Sequence, residues 1–151
     1  FDTFILSDGM IGDSLIEAFG KSLNKSFGSL PGSTGKGAGV FTKVAKAAGI
    51  DSSGPYTGES YDAAALIVLA MQAGGSADRG SIAKNVMAVA NGPGKKIYPG
   101  ELKKALDLLA KGKAVDYEGA TGVVFTKVGE AEGSFLEKEI KYGKFKTKKQ
   151  R

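Results

Sequence analysis

A short apolar run that ends at a polar loop and is followed by an amphipathic helix constrains the fold of this chain most. Residues 3–6 have the apolar character of a buried strand, and Asp13 is the expected N-cap of the helix that follows. The apolar face predicted for this helix consists of Leu15, Ile16, Phe19 and Leu23. Because a strand that leads through a loop into a packed helix is the building unit of α/β folds, this stretch favours the α/β class.

The rest of the chain is mostly helical in pattern. Helices are predicted over residues 40–49, from residue 61 to about residue 73 with Ser60 as N-cap, over residues 80–92 and over residues 99–113. Strand character is confined to the start of residues 26–39, to residues 121–128 and to a strand-turn-strand pattern over residues 137–145. These strands are too few to complete a sheet for so many helices. We therefore expect the chain to be the back part of a larger α/β protein.

The residue types that the chain lacks exclude several kinds of catalysis. The 151 residues include no cysteine and no histidine, so the chain holds neither a disulfide nor a serine–histidine–aspartate triad of its own. The GSTGKG stretch, residues 32–37, misses the phosphate-loop spacing because Leu30 stands where that motif requires glycine and Gly37 where it requires a hydroxyl. Gly35, Gly37 and Gly39 are predicted to form a flexible loop. The carboxylates are scattered, and we expect no catalytic residue, no metal site and no cofactor.

Positive charge is concentrated at the end of the chain. The formal net charge is +5, and residues 138–151 hold seven basic residues and one acidic residue. Such a tail binds nucleic acid or an anionic surface, or it is a solvated and frayed terminus, which is the simpler interpretation. No platform of aromatic residues repeats through a basic stripe, as single-strand binding requires, so we expect no nucleic-acid partner.

The longest apolar run covers residues 63–73. A helix needs about 20 apolar residues to span a bilayer, so this run is predicted to be a buried helix instead. No export signal is visible, and the chain begins at Phe1 rather than at an initiator methionine. We expect that it has been processed or trimmed.

Three small or polar residues follow the first predicted strand at its carboxyl end. They are Ser7, Asp8 and Gly9. In open α/β sheets, ligands bind outside the carboxyl ends of the strands, because the loops there converge on a crevice. The same residues are explained equally by a turn in which Asp8 caps the backbone before Gly9. The residue types alone leave both interpretations open.

Three stretches, in this order along the chain, together resemble one protein family. They are FILSDGM at residues 4–10, GESYDAAALIVLAMQAGGS at residues 58–76, and YEGATGVVFTKVGEAEGSFLEKEIKYGKF at residues 117–145. With them the chain resembles the C-terminal half of the type I periplasmic substrate-binding proteins and, more narrowly, the branched-chain amino-acid binding proteins of ABC importers. It departs from the family at residues 125–133, where FTKVGEAEG replaces a more acidic FDxxGD pattern.

The resemblance implies a partial periplasmic-binding-protein-like type I fold, an α/β architecture of two lobes with α/β/α layers. It assigns residues 1–55 to the second lobe, residues 56–130 to the first lobe, residues 131–145 to a return into the second lobe, and residues 146–151 to a basic tail. The front of the family's chain, which supplies most of the first lobe, is not part of this sequence. Because an incomplete sheet leaves open edges and apolar area, we expect self-association of the chain.

The resemblance also implies a function, which is to bind a solute, in particular an amino acid, in the cleft between the lobes and to deliver it to the membrane permease of an ABC transporter. In the amino-acid binders an acidic residue of the first loop accepts the substrate ammonium group, and Asp8 is the matching position. Ser7 is expected to orient this carboxylate, Gly9 to let the ligand approach the backbone, and Tyr61 to line the cleft, although packing also explains a tyrosine at a helix start. Such a protein is not an enzyme and works in the periplasm or elsewhere outside the cytoplasm. The alternative is a ligand-sensing domain of the same fold in a receptor or regulator.

Overall fold

The computed structural model describes residues 1–33 and 35–150. Thr34, from the GSTGKG stretch, and Arg151, from the predicted basic tail, lie outside the described residues. The helices of the described chain are α1 (Asp13–Phe19), α2 (Gly35–Ala47), α3 (Thr57–Gly74), α4 (Arg79–Ala90) and α5 (Leu102–Ala110), with 3₁₀ turns at Asp8–Met10 and Gly20–Leu23. The strands are β1 (Ile5–Leu6), β2 (Phe27–Gly32), β3 (Lys95–Ile97), β4 (Val115–Tyr117), β5 (Val124–Phe125), β6 (Ala131–Glu132), β7 (Ser134–Lys141) and β8 (Lys144–Gln150).

The described residues form two compact units. The first unit contains Phe1–Gly32, Ser53–Tyr56 and residues 134–150, and the second contains the described residues of Ser33–Ser52 together with Thr57–Gly133. The predicted assignment of residues 1–55, 56–130 and 131–145 to particular lobes stays a prediction.

A four-stranded sheet forms the first unit. Its strand order is β1-β2-β7-β8, with β1 parallel to β2 and the other neighbours antiparallel. Helix α1 covers one face of this sheet, because its apolar side chains pack on those of the strands. The cluster consists of Leu6, Ile11 and Ile140 with Leu15, Ile16, Leu23, Leu30 and Phe145 around them. The predicted apolar face of the helix is thus confirmed except at Phe19, which is 58% exposed.

The start of α1 differs from the prediction. Gly12 is the N-cap, with extended backbone, and Asp13 is the first helical residue, so the prediction of Asp13 as N-cap was wrong. Gly12 has no side chain that could cap this helix end. The Asp13 carboxylate nevertheless lies in the first turn, where negative charge favours the positive end of the helix dipole.

The end of the described chain is a regular hairpin. Strand β8 pairs with β7 through a tight turn at Tyr142 and Gly143, whose φ angles are 55° and 68°. Positive φ at both central positions is the mark of a type I′ turn, which matches the twist of the two strands. The prediction of a frayed tail was therefore wrong for the described residues, because pairing with β7 orders them up to Gln150.

Helices, two short parallel strands and the antiparallel pair of β5 and β6 form the second unit. Strand β3 pairs with β4 in parallel, and their buried residues pack against α3, α4 and α5. The predicted helices of this region are confirmed, although α3 begins at Thr57 and places Ser60 inside the helix rather than at its N-cap. No helix of the described chain combines the length and the hydropathy needed to cross a membrane.

Helix α2 begins earlier than its sequence pattern indicated. Gly35, Gly37 and Gly39 lie in this helix, so the prediction of a flexible loop was wrong. The physical reason is clearest at Gly37, where a Cβ atom would collide with the backbone carbonyl of Gly119. The glycine permits a close approach of helix and turn. The predicted stop at Gly49 is confirmed by its φ of 72° and by the hydrogen bond of 2.9 Å that the Ile50 N–H donates to the Ala45 carbonyl.

Candidate functional site

The Ser7–Gly9 segment forms an exposed turn at the carboxyl end of β1. Ser7 has extended backbone, and a single 3₁₀ turn follows over Asp8–Met10. Two backbone bonds close it, since the N–H of Met10 donates to the Ser7 carbonyl and the N–H of Ile11 to the Asp8 carbonyl, each at 3.0 Å. Strand β1 and its short turn therefore present the three predicted site residues to solvent together.

The two carboxylate oxygens of Asp8 have different surroundings. Oδ1 accepts a hydrogen bond of 2.7 Å from the Gly9 N–H, which is the capping role that its position suggested. Oδ2 has no hydrogen-bond partner among residues 1–33 and 35–150. The carboxylate is thus oriented by its own turn and keeps one oxygen available to a cationic donor.

The neighbours of Asp8 contribute little to the turn itself. The Ser7 hydroxyl makes no capping hydrogen bond to the turn, and its expected role in orienting the Asp8 carboxylate stays a prediction. A Cβ atom at Gly9 would meet nothing within 4 Å, and the φ angle there is not in the left-handed region. The turn would therefore accept a larger residue at position 9, and its backbone geometry does not require glycine there.

Tyr61 belongs to the second unit and is half-buried in α3. Its ring packs against Phe41, with centroids 5.2 Å apart and planes tilted by 48°. Its hydroxyl accepts a hydrogen bond of 2.9 Å from the Gly100 N–H. Both parts of the side chain are therefore engaged in packing within that unit, whereas Ser7, Asp8 and Gly9 adjoin one another in the first unit.

A buried carboxylate that sequence reasoning missed lies beside Tyr61 in the chain. Asp62 is 3% exposed and accepts four hydrogen bonds. Its Oδ1 accepts from the Tyr117 hydroxyl at 2.8 Å and from the Ala120 N–H at 2.7 Å. Its Oδ2 accepts from the N–H and the hydroxyl of Thr121 at 2.8 and 2.7 Å. An acidic residue inside the most apolar helix was the signal in the sequence.

Asp62 fixes the turn that follows β4. Burial, and then the charge of Asp62 and its hydrogen bond, raise the pKa of Tyr117, so the tyrosine stays a protonated donor. Gly119 has a φ of 57° and leaves no room for a Cβ atom against the Asp62 carboxylate. Donors from the end of β4 and from the turn after it satisfy both carboxylate oxygens, which makes Asp62 a structural anchor of this turn.

Charged residues also line a small cavity of about 270 Å³ in the second unit. The Nζ atom of Lys96 contacts the Glu118 carboxylate and lies 3.9 Å from Oδ2 of Asp116. The hydrogen bond to Glu118 raises the pKa of Lys96. These charges thus interact with one another. In the part of the chain that the structure describes, no group of three or more acidic, histidine or cysteine side chains is placed to hold a metal ion.

Comparison with known proteins gives two similarities. No family model matches the chain. Over 70 residues, 46% of its length, the chain is 40% identical to the chemotactic signal transduction system substrate-binding protein BasB of Halobacterium salinarum, of which these residues are 17%. The crystal structure of the leucine-binding protein LivK from Thermotoga maritima superposes with a TM-score of 0.66 at 18% identity, over 98% of this chain and 37% of LivK.

The structural similarity extends over nearly the whole chain, whereas the chain spans well under half of LivK and about a sixth of BasB. At 18% identity such a likeness establishes a fold and no more. It confirms the predicted fold class: the chain has an α/β fold of the type I periplasmic-binding-protein kind, present in part.

Proposed function

We propose that the chain is part of a solute-binding protein that takes an amino acid through its ammonium group and delivers it to the membrane permease of an ABC importer, outside the cytoplasm. The observation that carries the proposal is the free Oδ2 of Asp8, held in an exposed turn at the carboxyl end of β1. The descriptions of the two similar proteins, a leucine-binding and a substrate-binding protein, support the solute-binding part.

The chemistry of an ammonium group fits this turn. A charged donor that leaves water needs a charged acceptor, and a charge-assisted hydrogen bond is about twice as strong as one between neutral groups. The bond from the Gly9 N–H already orients the carboxylate, so less conformational entropy is lost when a ligand binds. Open space at the Gly9 Cα position lets the ligand reach the backbone. Ser7, which adjoins Asp8 in the same turn, is a further contact in this proposal, and the expected contact of Tyr61 with a ligand stays a prediction.

The experiment is isothermal titration calorimetry of the chain with leucine, isoleucine and valine, for the wild type and for Asp8→Asn. The substitution keeps the shape of the side chain and removes its charge. We expect the loss of one charge-assisted bond to weaken binding by about tenfold or more, which corresponds to about 1.4 kcal/mol. The control is Asp13→Asn, an exposed carboxylate of the same unit, which is expected to leave affinity unchanged.

A ligand analogue separates the site from the function. 4-Methylpentanoate has the leucine skeleton without the ammonium group, so its affinity should be equally low for the wild type and for Asp8→Asn. Binding of leucine that survives the substitution would overturn the assignment of Asp8 and keep the function. If neither these nor the other common amino acids bind, the amino-acid substrate is wrong.

A second candidate function is ligand sensing, in which the bound solute is presented to a receptor rather than to a permease. The description of BasB as part of a chemotactic signal transduction system favours it. Uptake of radiolabelled ligand by cells with and without the gene distinguishes the two. Loss of uptake on deletion supports the importer, whereas loss of chemotaxis with normal uptake supports the sensor.

A further inference from the structure

Two pairs of neighbouring residues in the chain can react within themselves. They are Asp8–Gly9, the one Asp–Gly pair of the sequence, and Asn91–Gly92, its one Asn–Gly pair. In such a pair the backbone nitrogen of the glycine attacks the side-chain carbon Cγ of the residue before it, and a cyclic succinimide results. Glycine favours this reaction because it has no Cβ atom to hinder the closing ring.

Residue types alone rank Asn91 as the more reactive of the two. A neutral amide loses ammonia at neutral pH, whereas an aspartate carboxyl is mostly ionised there and must gain a proton before water can leave. In an unfolded chain the Asn91–Gly92 pair would therefore react first. The folded chain gives the two pairs different surroundings, and these decide which pair reacts.

Hydrogen bonds hold the Asn91 side chain away from its glycine. Its Nδ2 donates to the Phe125 carbonyl at 2.7 Å, and its Oδ1 accepts from the Phe125 N–H at 2.9 Å. The space beside Gly92 is filled, since a Cβ atom there would lie 3.1 Å from Cγ of Asp116. Ring closure at Asn91 therefore requires both bonds to Phe125 to break before the side chain can turn towards Gly92.

The surroundings of Asp8 favour ring closure instead. The bond of 2.7 Å from the Gly9 N–H to Oδ1 holds the attacking nitrogen beside the carboxyl group. Rotation of the carboxyl plane about the Cβ–Cγ bond then turns Cγ towards this nitrogen, and reacting groups held so close lose little further entropy. Both residues are exposed, and a Cβ atom at Gly9 would meet nothing within 4 Å, so the ring has room. The single 3₁₀ turn over Asp8–Met10 is closed by two backbone hydrogen bonds and opens at little cost.

We infer that Asp8 is a site of spontaneous isomerisation to isoaspartate and that the fold protects Asn91 from deamidation. The Gly9 nitrogen forms a bond to Cγ of the protonated Asp8 carboxyl, the bond from Cγ to the hydroxyl oxygen breaks, and water leaves with the proton of the nitrogen. A second water then opens the ring. Opening at Cγ returns aspartate, whereas opening at the main-chain carbonyl carbon of Asp8 gives isoaspartate. Water is the only other reactant, and nothing is oxidised or reduced.

Isomerisation changes the turn and removes the side-chain carboxylate. The backbone then runs through Cβ and Cγ of residue 8, and the former main-chain carbonyl becomes a carboxylate on Cα. The Ile11 N–H loses the Asp8 carbonyl, which is its present acceptor. Where Asp8 accepts the ammonium group of a ligand, the modified chain lacks that acceptor. This consequence rests on the proposed function, whereas the modification itself does not.

The test is ageing of the folded chain for about four weeks at about 37 °C and neutral pH, followed by tryptic digestion and mass spectrometry with electron-transfer fragmentation. Trypsin releases Asp8 in the peptide of residues 1–21 and Asn91 in the peptide of residues 85–95. Isoaspartate keeps the mass and changes the retention time and the backbone fragments, whereas deamidation raises the mass. We expect isoaspartate at residue 8 and an unchanged Asn91. A sample unfolded in guanidinium chloride should show the reverse order of reaction.

Three variants test the structural contrast. Asp8→Asn makes both pairs Asn–Gly, so residue 8 should lose ammonia at least about tenfold faster than residue 91 because of its surroundings alone. Gly9→Ala places a Cβ atom beside the closing ring and should slow the formation of isoaspartate several-fold. Gly12→Ala is the matched control, since a Cβ atom there also meets nothing within 4 Å and no aspartate precedes it; the rate at Asp8 should not change. Circular dichroism verifies that each variant is folded.

Four results would overturn the inference. They are the absence of isoaspartate at residue 8 after ageing, deamidation of Asn91 ahead of isomerisation of Asp8 in the folded chain, equal loss of ammonia from residues 8 and 91 in Asp8→Asn, and an unchanged rate in Gly9→Ala. Calorimetry with leucine on fresh and aged chain separates the modification from the proposed function. Isoaspartate at residue 8 with unchanged leucine affinity would support the modification and contradict the assignment of Asp8 as the ammonium acceptor.

Discussion

The hydroxyl of Tyr117 donates a hydrogen bond of 2.8 Å to Oδ1 of Asp62, and both side chains are buried in the second unit. The two residues are 55 positions apart in the chain. The bond therefore ties α3 to the end of β4 and to the turn that follows it. A buried carboxylate is costly unless its oxygens are hydrogen-bonded, and here four donors satisfy them.

Replacement of Asp62 should be among the most destabilising single changes in the chain. Asp62→Ala leaves the Tyr117 hydroxyl and the N–H groups of Ala120 and Thr121 without an acceptor. Each unsatisfied buried group costs about 1–3 kcal/mol, so we expect a loss of about 3–5 kcal/mol in the free energy of unfolding. Urea denaturation followed by circular dichroism measures it. The control is Tyr117→Phe, which removes one of the four donors and should cost about 1–2 kcal/mol; a larger loss in the control than in Asp62→Ala would contradict the anchor.

The contribution of Tyr117 to the free energy of unfolding should fall at alkaline pH. The folded protein raises the pKa of Tyr117, whereas the unfolded chain has the ordinary tyrosine value of about 10. A raised pKa means that the contribution of Tyr117 is fully present below about pH 10 and is lost as the pH rises above it, because the unfolded state then ionises first. The stability difference between the wild type and Tyr117→Phe should therefore shrink above about pH 10. Denaturation curves between pH 7 and about pH 11 test this, and a constant difference across that range would contradict it.

Two glycines of α2 should respond in opposite directions to the same substitution. A Cβ atom at Gly37 would collide with the Gly119 carbonyl, whereas one at Gly39 would meet nothing within 4 Å. Gly37→Ala should therefore destabilise the protein by about 2 kcal/mol or more, because either the helix or the turn must move. Gly39→Ala should stabilise it by about 0.5–1 kcal/mol through helix propensity. Thermal unfolding of both variants decides the matter, and a shift of the same sign in both would refute the close packing at Gly37.

Local signals explain which parts of the fold were predictable from the sequence. Apolar residues at helical spacing and glycine stops predicted α4 and α5, because helices form from neighbours in the chain. Strands β3 and β4 have three residues each, too few for a periodic pattern, and they pair only across a helix. They were missed for this reason.

The candidate site likewise has one part that was predictable from the sequence and one part that was not. The turn at Asp8 follows from local residue types, and the structure places it at the carboxyl end of β1 as expected. The role of Asp62 depends on donors more than 50 residues away, and the need for glycine at position 37 in α2 depends on the backbone of Gly119. Such partners are set by tertiary packing, which periodicity and composition do not record.

A substitution at Tyr61 tests whether its hydroxyl contacts the ligand or only stabilises the fold. Its hydroxyl accepts from the Gly100 N–H and its ring packs against Phe41, so Tyr61→Phe keeps the ring contact and removes only the acceptor. We expect a loss of about 1 kcal/mol in the free energy of unfolding and unchanged leucine affinity if the hydroxyl serves packing alone. Urea denaturation and calorimetry on the same variant give both values. Phe41→Leu is the matched control for the ring contact, which removes the aromatic pair and leaves the hydroxyl bond in place. A fall in leucine affinity of about tenfold in Tyr61→Phe, with stability unchanged, would instead assign the hydroxyl to the ligand.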